Sequence, residues 1–347
     1  MAALIAFVYL LLRRGNAFAP DVTPPLAMRR WAVAFFAVAC LGHFWWLLLY
    51  FRSNDINSVG GMVVSLLDCV GLLTTIAGTL FAMLQDRKRP VWPVVVAILL
   101  YAVLLALNLV FPDRRFYDIA IACILLFYVL FIIYMMFAVR QYRQWLRDNY
   151  ADLEHKEVWQ SLLFVVIILI IYEIYTTNPG EMVREYLAQA NTIFIIVFLL
   201  WRVETLQQLE EVIDDTITDC DDEPKSASVA VPSNIGALLH DFCETPKLYL
   251  LHDLTLTQLS EIVGTNRTYL SCYFAQQGIT YNAYINRLRI EHFERIYNES
   301  SSLMRPITAN QLAYESGFKS YSTFATAFKL FKGQTVTDWM KSRNLQK

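Results

Sequence analysis

The chain has 347 residues, 56% of them hydrophobic and 17% charged, with a formal net charge of −2 and a mean hydropathy of +0.39. So apolar an average excludes an ordinary soluble domain and puts a membrane class first. The excess is uneven: residues 31–201 hold long uncharged runs and 202–347 have mixed polarity, so the net charge averages two unlike halves.

The amino end, "AALIAFVYLLL", is too short to cross a hydrocarbon core of about 30 Å. It reads as the inner part of a span, with the start lying upstream, or as a partly inserted helix. A cleaved signal peptide is disfavoured because Arg13 and Arg14 follow the apolar run instead of preceding it. Six runs of bilayer length follow: 31–51, 59–84, 91–111, 118–139, 158–176 and roughly 186–201. The expectation is a polytopic bundle of six or seven transmembrane helices over residues 1–201.

Orientation follows from Lys and Arg in the loops. One alternate set carries Arg13, Arg14, Arg29, Arg30, Arg87, Lys88, Arg89, Arg140, Arg143, Arg147 and Lys156, eleven in all, and the other carries only Arg52, Arg114, Arg115 and Arg184. Positive loops stay inside, which places everything after Trp201 in the cytoplasm whether the spans number six or seven. A bacterial inner membrane is the expected location.

Few polar side chains interrupt the spans. His43, Asp68, Asn108, Glu173 and Asn191 gather toward the outer leaflet on this topology, and Asp68, near mid-bilayer depth, is costly there unless it faces a bundle interior or a wet cavity. They are the candidate signal-binding residues. The competing reading makes them packing glue between helices, with Glu173 and Asn108 close enough to the interface to reach water. Six cysteines without a CxxC pair argue for free thiols and against a zinc site, and no cofactor or metal is expected.

Residues 202–233 are expected to form a connector, a juxtamembrane helix continuing from the last span and then an acidic linker. Leu206, Leu209, Ile213 and Ile217 make an apolar stripe at helical spacing that fits either a partner helix or the protein's own surface. Eight carboxylates between Glu210 and Glu223 then lead into "PKSASVAVPS", which has linker composition.

The last part, 234–347, contains an internal repeat. "LTQLSEIVGTNRTYLSCYFAQQGITYNAYI" aligns with "ANQLAYESGFKSYSTFATAFKLFKGQTVTDWM", pairing Leu259, Ser260, Gly264, Phe274, Gly278, Thr280, Tyr284 and Ile285 with Leu312, Ala313, Gly317, Phe328, Gly333, Thr335, Trp339 and Met340. Leucines anchor a first short helix, and Ser260 and Ala313 let a second helix cross closely. Gly264 and Gly317 permit the positive φ of a tight turn. Each copy reads as a helix-turn-helix. Between them Thr280 caps a helix to about Asn298 that buries Tyr284, Ile285, Leu288, Phe293 and Ile296.

"LSEIVGTNRTYLSCYF", "YINRLRIEHFERI" and "LAYESGFKSYSTFATAFKLFKGQTVTDW" resemble the DNA-binding domain of AraC/XylS-type transcription regulators. The membrane half more loosely resembles the multi-span sensor regions fused to that domain in some bacterial regulators. The resemblance implies an all-α chain whose cytoplasmic seven-helix domain has two helix-turn-helix subdomains entering successive major grooves, about 34 Å apart. It places base-facing positions at Thr268, Ser271 and Cys272 and at Tyr321, Ser322 and Thr326. Asn266, Arg267, Lys319, Ser320, Lys329 and Lys332 suit phosphate contacts. Cys272 and Thr326 stand where family members often carry Arg or Gln, which weakens direct readout of guanine. Val336 replaces a usual proline.

From Asn234 to Lys347 there are 12 Lys and Arg against 9 Asp and Glu, a modest excess, so affinity rests on local placement of cations. The expected function is a membrane-bound regulator acting as a one-component signal transducer, not an enzyme. Its partners would be double-stranded promoter DNA, the lipid bilayer and an unidentified small-molecule or envelope signal, with RNA polymerase and a second copy of the chain as further candidates. Two alternatives stay open: a passive tether cut between Asp219 and Ser233, and a transporter or lipid-modifying enzyme with an appended regulator.

Overall fold

The computed structural model describes residues 2–13, 20, 22–52, 59–87, 89–90, 92–111, 114–159, 181–209, 234–302 and 308–345, and all regular elements among them are helices. The chain divides into two compact units. One comprises Met1–Arg143 and His155–Glu211, the other Gln144–Glu154 and Val212–Lys347.

The first unit contains α1 (Ala2–Leu12), α2 (Leu26–Arg52), α3 (Val59–Met83), α4 (Trp92–Val110), most of α5 (Arg114–Asn149) and α6 (Glu181–Thr205). Among the described residues, Val59–Met83 and Asp118–Asn149 are long and apolar enough to cross a membrane, while Ala2–Leu12 and Trp92–Leu104 are shorter apolar stretches. The run at 158–176 lies outside the described residues from position 160 onward. Helices α2 and α3 approach closely through small residues: a Cβ on Gly71 would stand 2.8 Å from Val38, and one on Gly78 would enter the Trp31 ring.

Polar bonds gather where the helices end. The Tyr9 hydroxyl donates to Glu204 at 2.5 Å and Arg29 donates to the Leu10 carbonyl at 2.8 Å. Helix α6 stops at Thr205, and Leu206 to Leu209 are irregular, which departs from the expected continuation of the helix into the connector. The reason lies in the donors. The amides of Gln207, Gln208 and Leu209 bond to His155 O, Thr23 O and Gln85 Oε1 instead of to carbonyls one turn back. Ile213 and Ile217 lie outside the described residues.

Among its described residues the second unit contains, besides the end of α5, α7 (Ile235–Leu239), α8 (Leu256–Val263), α9 (Arg267–Gln276), α10 (Tyr281–Ser302), α11 (Ala309–Glu315), α12 (Tyr321–Lys332) and α13 (Val336–Leu345). Side-chain caps set their starts. Thr255 and Gln258 form a reciprocal capping box on α8, while Thr280, Thr308 and Ser320 accept the amides of Ala283, Gln311 and Thr323. Gly264 and Gly317, at φ +72° and +91°, make the two turns as the repeat requires.

Helix α10 serves two cores. Tyr284, Ile285 and Leu288 pack with Leu259, Leu270, Phe274 and Ala151, whereas Phe293 packs with Leu312, Phe324, Phe328 and Trp339. The predicted single stripe is therefore divided between the subdomains. Phe293 and Phe324 stand 4.5 Å apart between ring centroids, an aromatic contact that fixes the second subdomain on α10.

Candidate nucleic-acid interface

In each subdomain a short helix, a turn and a longer helix place a polar face at the surface. On α12, Tyr321, Ser322, Thr326, Lys329 and Lys332 are exposed, because Phe324, Ala327 and Phe328 take the opposite face into the core. The α9 face is less open: Arg267, Thr268, Ser271 and Cys272 are all half-buried. The two heads are thus equivalent in sequence but not in exposure.

Asn266 and Ser320 are N-caps. The Asn266 side chain accepts the Thr268 amide at 3.0 Å and Ser320 accepts the Thr323 amide at 3.3 Å, so both position the start of a helix. Thr326 donates its hydroxyl to the Ser322 carbonyl at 2.9 Å. Lys319 pairs with Asp253 at 3.4 Å and Lys332 with Glu294 at 2.9 Å, both pairs near the surface. Cys272 is disulfide-bonded, against the expectation of free thiols, while Cys40, Cys123 and Cys243 are free. Sequence spacing does not reveal such a pair, because its cysteines meet only in the fold.

Lys319 of the second head borders a short loop, and Arg267 of the first head bonds to the end of α5, whose next residues pack on the same loop. Asp253 in that loop pairs with Lys319, and the next two residues hold Tyr150 and Ala151: the Ala151 amide donates to Leu254 O at 3.1 Å, and Tyr150 forms an antiparallel bridge with Thr255. The adjoining Asn149 accepts from Arg267 Nη2 at 2.6 Å and from Nε at 3.0 Å. The loop is also clasped from below. Arg289, 1% exposed, donates to the carbonyls of Tyr249 at 2.7 Å, Leu251 at 2.6 Å and His252 at 3.2 Å, and lies over Phe318. His252 Nδ1 meets Gly317 O at 2.9 Å, tying the loop to the turn of the second head.

Arg289, Asn149 and Asn282 are not among the candidate site residues of the sequence. A signal existed for Arg289: it lies four residues from both Ile285 and Phe293, on the buried face of α10. None existed for Asn149, more than a hundred positions away from its partner.

Burial perturbs several groups around this joint. It lowers the Arg289 pKa to about 10, with Asp152 and other nearby acids opposing the change, and raises the Cys243 thiol to about 12, with Glu244 adding to the effect. His292 is lowered by burial and by the charges of Arg295 and Lys247. These shifts belong to a packed support, not to a reacting centre.

Of the candidate signal residues, Asp68 is half-buried on α3 against Gly42 of α2. His43, Asn108 and Asn191 fall on α2, α4 and α6 with side chains outside the described set, and Glu173 lies outside the described residues. An apolar recess among α3, α4 and α5, lined by Leu73, Ala77, Ile98, Tyr101 and Phe127, includes none of the five. Among the described residues no group of His, Cys, Asp or Glu has the arrangement of a metal site.

Comparison with known proteins bears on the carboxy-terminal part. Residues 259–342 match the family model described as a helix-turn-helix domain. A protein of Staphylococcus aureus strain MRSA252, named an uncharacterized HTH-type transcriptional regulator, is 32% identical over 108 residues, 30% of this chain and 14% of its own length. Its counterpart in strain COL is 31% identical over the same length, with the same coverage of both chains. The chain thus spans about a seventh of the length of the curated relatives it matches, 14% in each case. No solved structure matches. The carboxy-terminal part of this chain is a helix-turn-helix domain similar to those of proteins named as transcriptional regulators.

Proposed function

We propose that the protein is a membrane-bound, sequence-specific DNA-binding transcription regulator of the AraC type that acts as a one-component signal transducer. The observation that carries this reading is the paired arrangement of the heads: two helix-turn-helices packed on one helix, α10, each with a cation, Arg267 or Lys319, at the start of its second helix. One duplex can then meet α9 and α12 in successive major grooves, while Arg267, Lys319, Lys329 and Lys332 contact phosphates and Thr268, Ser271, Tyr321, Ser322 and Thr326 face bases. Phosphate contacts dominate affinity here, since neither recognition helix offers an Arg or Gln at the positions of Cys272 and Thr326.

The membrane part is read as six or seven spans with the amino-terminal half as sensor and the DNA domain in the cytoplasm. The bilayer-length runs and the eleven-to-four asymmetry of basic loop residues support this. A signal from the envelope side, with Asp68 its leading contact, would favour one of two arrangements of the helices and so alter promoter occupancy. RNA polymerase and a second copy of the chain are the partners such occupancy would engage.

The test is crosslinking in living cells followed by isolation of membranes. Wild-type protein should bring specific DNA with the membrane fraction, and the Arg267→Ala/Lys319→Ala double variant, present at equal amount, should bring none. Equal recovery of DNA with both proteins, or a soluble wild-type protein, would refute the proposal.

A further inference from the structure

The segment Gln144–Glu154 belongs to the second unit although its first part, Gln144–Asn149, is the end of α5, most of which belongs to the first. It is built into the first head. Ala151 is fully buried in the core of that head, and Asn282 on α10 donates to the carbonyls of Ala151 at 2.7 Å and Tyr150 at 3.3 Å. The segment carries Asp148, Asp152 and Glu154 against Arg147 alone, so it brings net negative charge to a face that carries a cation for phosphate.

Asn149 has the most specific part. Its amide nitrogen donates to the Trp145 carbonyl one turn earlier at 2.7 Å, which leaves its oxygen facing Arg267. That oxygen receives both Nε and Nη2 of the guanidinium, the edge with which arginine grips a phosphate. In this arrangement Arg267 is held by the protein's own chain, and the reading face behind it on α9 is half-buried while its counterpart on α12 is exposed.

We propose that the end of α5 is an autoinhibitory latch on the first recognition helix: Asn149 takes the place of a DNA phosphate on Arg267, and displacement of Asn149 by movement along α5 frees the first head to bind. Among the described residues the second head has no such latch: its Lys319 pairs with Asp253 near the surface, so the latched protein retains one working head. A neutral amide as the mimic suits a switch. It holds the guanidinium by charge-assisted hydrogen bonds but is displaced by a fully charged phosphate more readily than a carboxylate would be. Helix α5 is continuous from Arg114 and contains a membrane-length apolar stretch, so the latch sits on an element suited to carry a signal from the bilayer.

The inference rests on the DNA-binding reading, and one experiment separates the two. Full-length protein in lipid nanodiscs is titrated against a fluorescent mixed-sequence DNA duplex at fixed low ionic strength, which reads phosphate contact without needing the natural site. Asn149→Ala should bind about tenfold more tightly than wild type, the gain expected from freeing a charged group of its internal hydrogen bonds. The gain should vanish in an Arg267→Ala background. Asn149→Asp, which strengthens the hold on Arg267, should bind more weakly than wild type. If wild type binds but Asn149→Ala is no tighter, or Asn149→Asp is as tight as wild type, the latch is refuted while the DNA reading stands. If no form binds duplex, the DNA reading fails and the latch fails with it.

Discussion

The two turn glycines occupy matched positions of the repeat, yet they should respond very differently to the same change. An alanine at either must hold a left-handed backbone, at φ +72° for Gly264 and +91° for Gly317, at a cost of about 1 kcal/mol. At Gly264 nothing lies within 4 Å of the added Cβ, so the cost ends there. At Gly317 the new atom would stand 2.8 Å from Leu250 Cα and 3.0 Å from the carbonyl oxygens of Leu250 and Tyr249. Those atoms are backbone, and Arg289 holds the carbonyls of Tyr249 and Leu251 on either side of Leu250, so they cannot swing aside, which adds roughly 2 kcal/mol of overpacking. Gly264→Ala should therefore cost about 1 and Gly317→Ala about 3 kcal/mol. The assay is hydrogen exchange of the core amides of α11 and α12 in the full-length protein. Protection should fall about thirtyfold further in Gly317→Ala than in Gly264→Ala, as a difference of about 2 kcal/mol implies. Equal losses would refute the close seating of the Leu250 backbone on the second turn.

Arg289→Met should destabilise the second unit by about 3 to 4 kcal/mol, because three carbonyls lose a buried, charged donor, with Arg289→Lys recovering part of that in the same exchange measurement. His292 sets a pH dependence. Its folded pKa lies below the ordinary 6.5, so the unfolded chain takes up the proton first, and stability complete above that value is lost as pH falls through 6.5 toward the lowered pKa. Denaturant midpoints measured across this range should decline for wild type and stay flatter for His292→Gln. Cys243, fully buried and with its thiol raised to about 12, should resist maleimide at neutral pH until the unit unfolds; labelling of the native protein would contradict its place in the first core.

What was legible in the sequence was local. The caps, the turn glycines and the four-residue spacing of Leu270 with Phe274 and Phe324 with Phe328 act within one or two helical turns, and they give both helix-turn-helices. Of the bilayer-length runs, those at 59–84 and 118–139 return as helices long and apolar enough to cross a membrane. What was not legible depends on partners far along the chain. The same turn chemistry at Gly264 and Gly317 hides one open and one crowded site. Likewise Asn149 and Ala151, at the end of an apolar helix, find Arg267 and Leu254 only when the domain is folded. Leu206 and Leu209 keep helical spacing and are buried, yet the chain there is irregular because its amides bond elsewhere. Periodicity reports which side chains are buried more faithfully than it reports the backbone that buries them.

The most direct test of the central claim is a hydroxyl-radical footprint of the intact protein in nanodiscs on DNA recovered with it from cell membranes. With Asn149→Ala present to free the first head, the account predicts two protected patches on one face of the duplex, one helical turn or about 34 Å apart, with the first lost on adding Arg267→Ala and the second on adding Lys319→Ala. A single patch unaffected by either substitution, or uniform protection without a repeat, would contradict it.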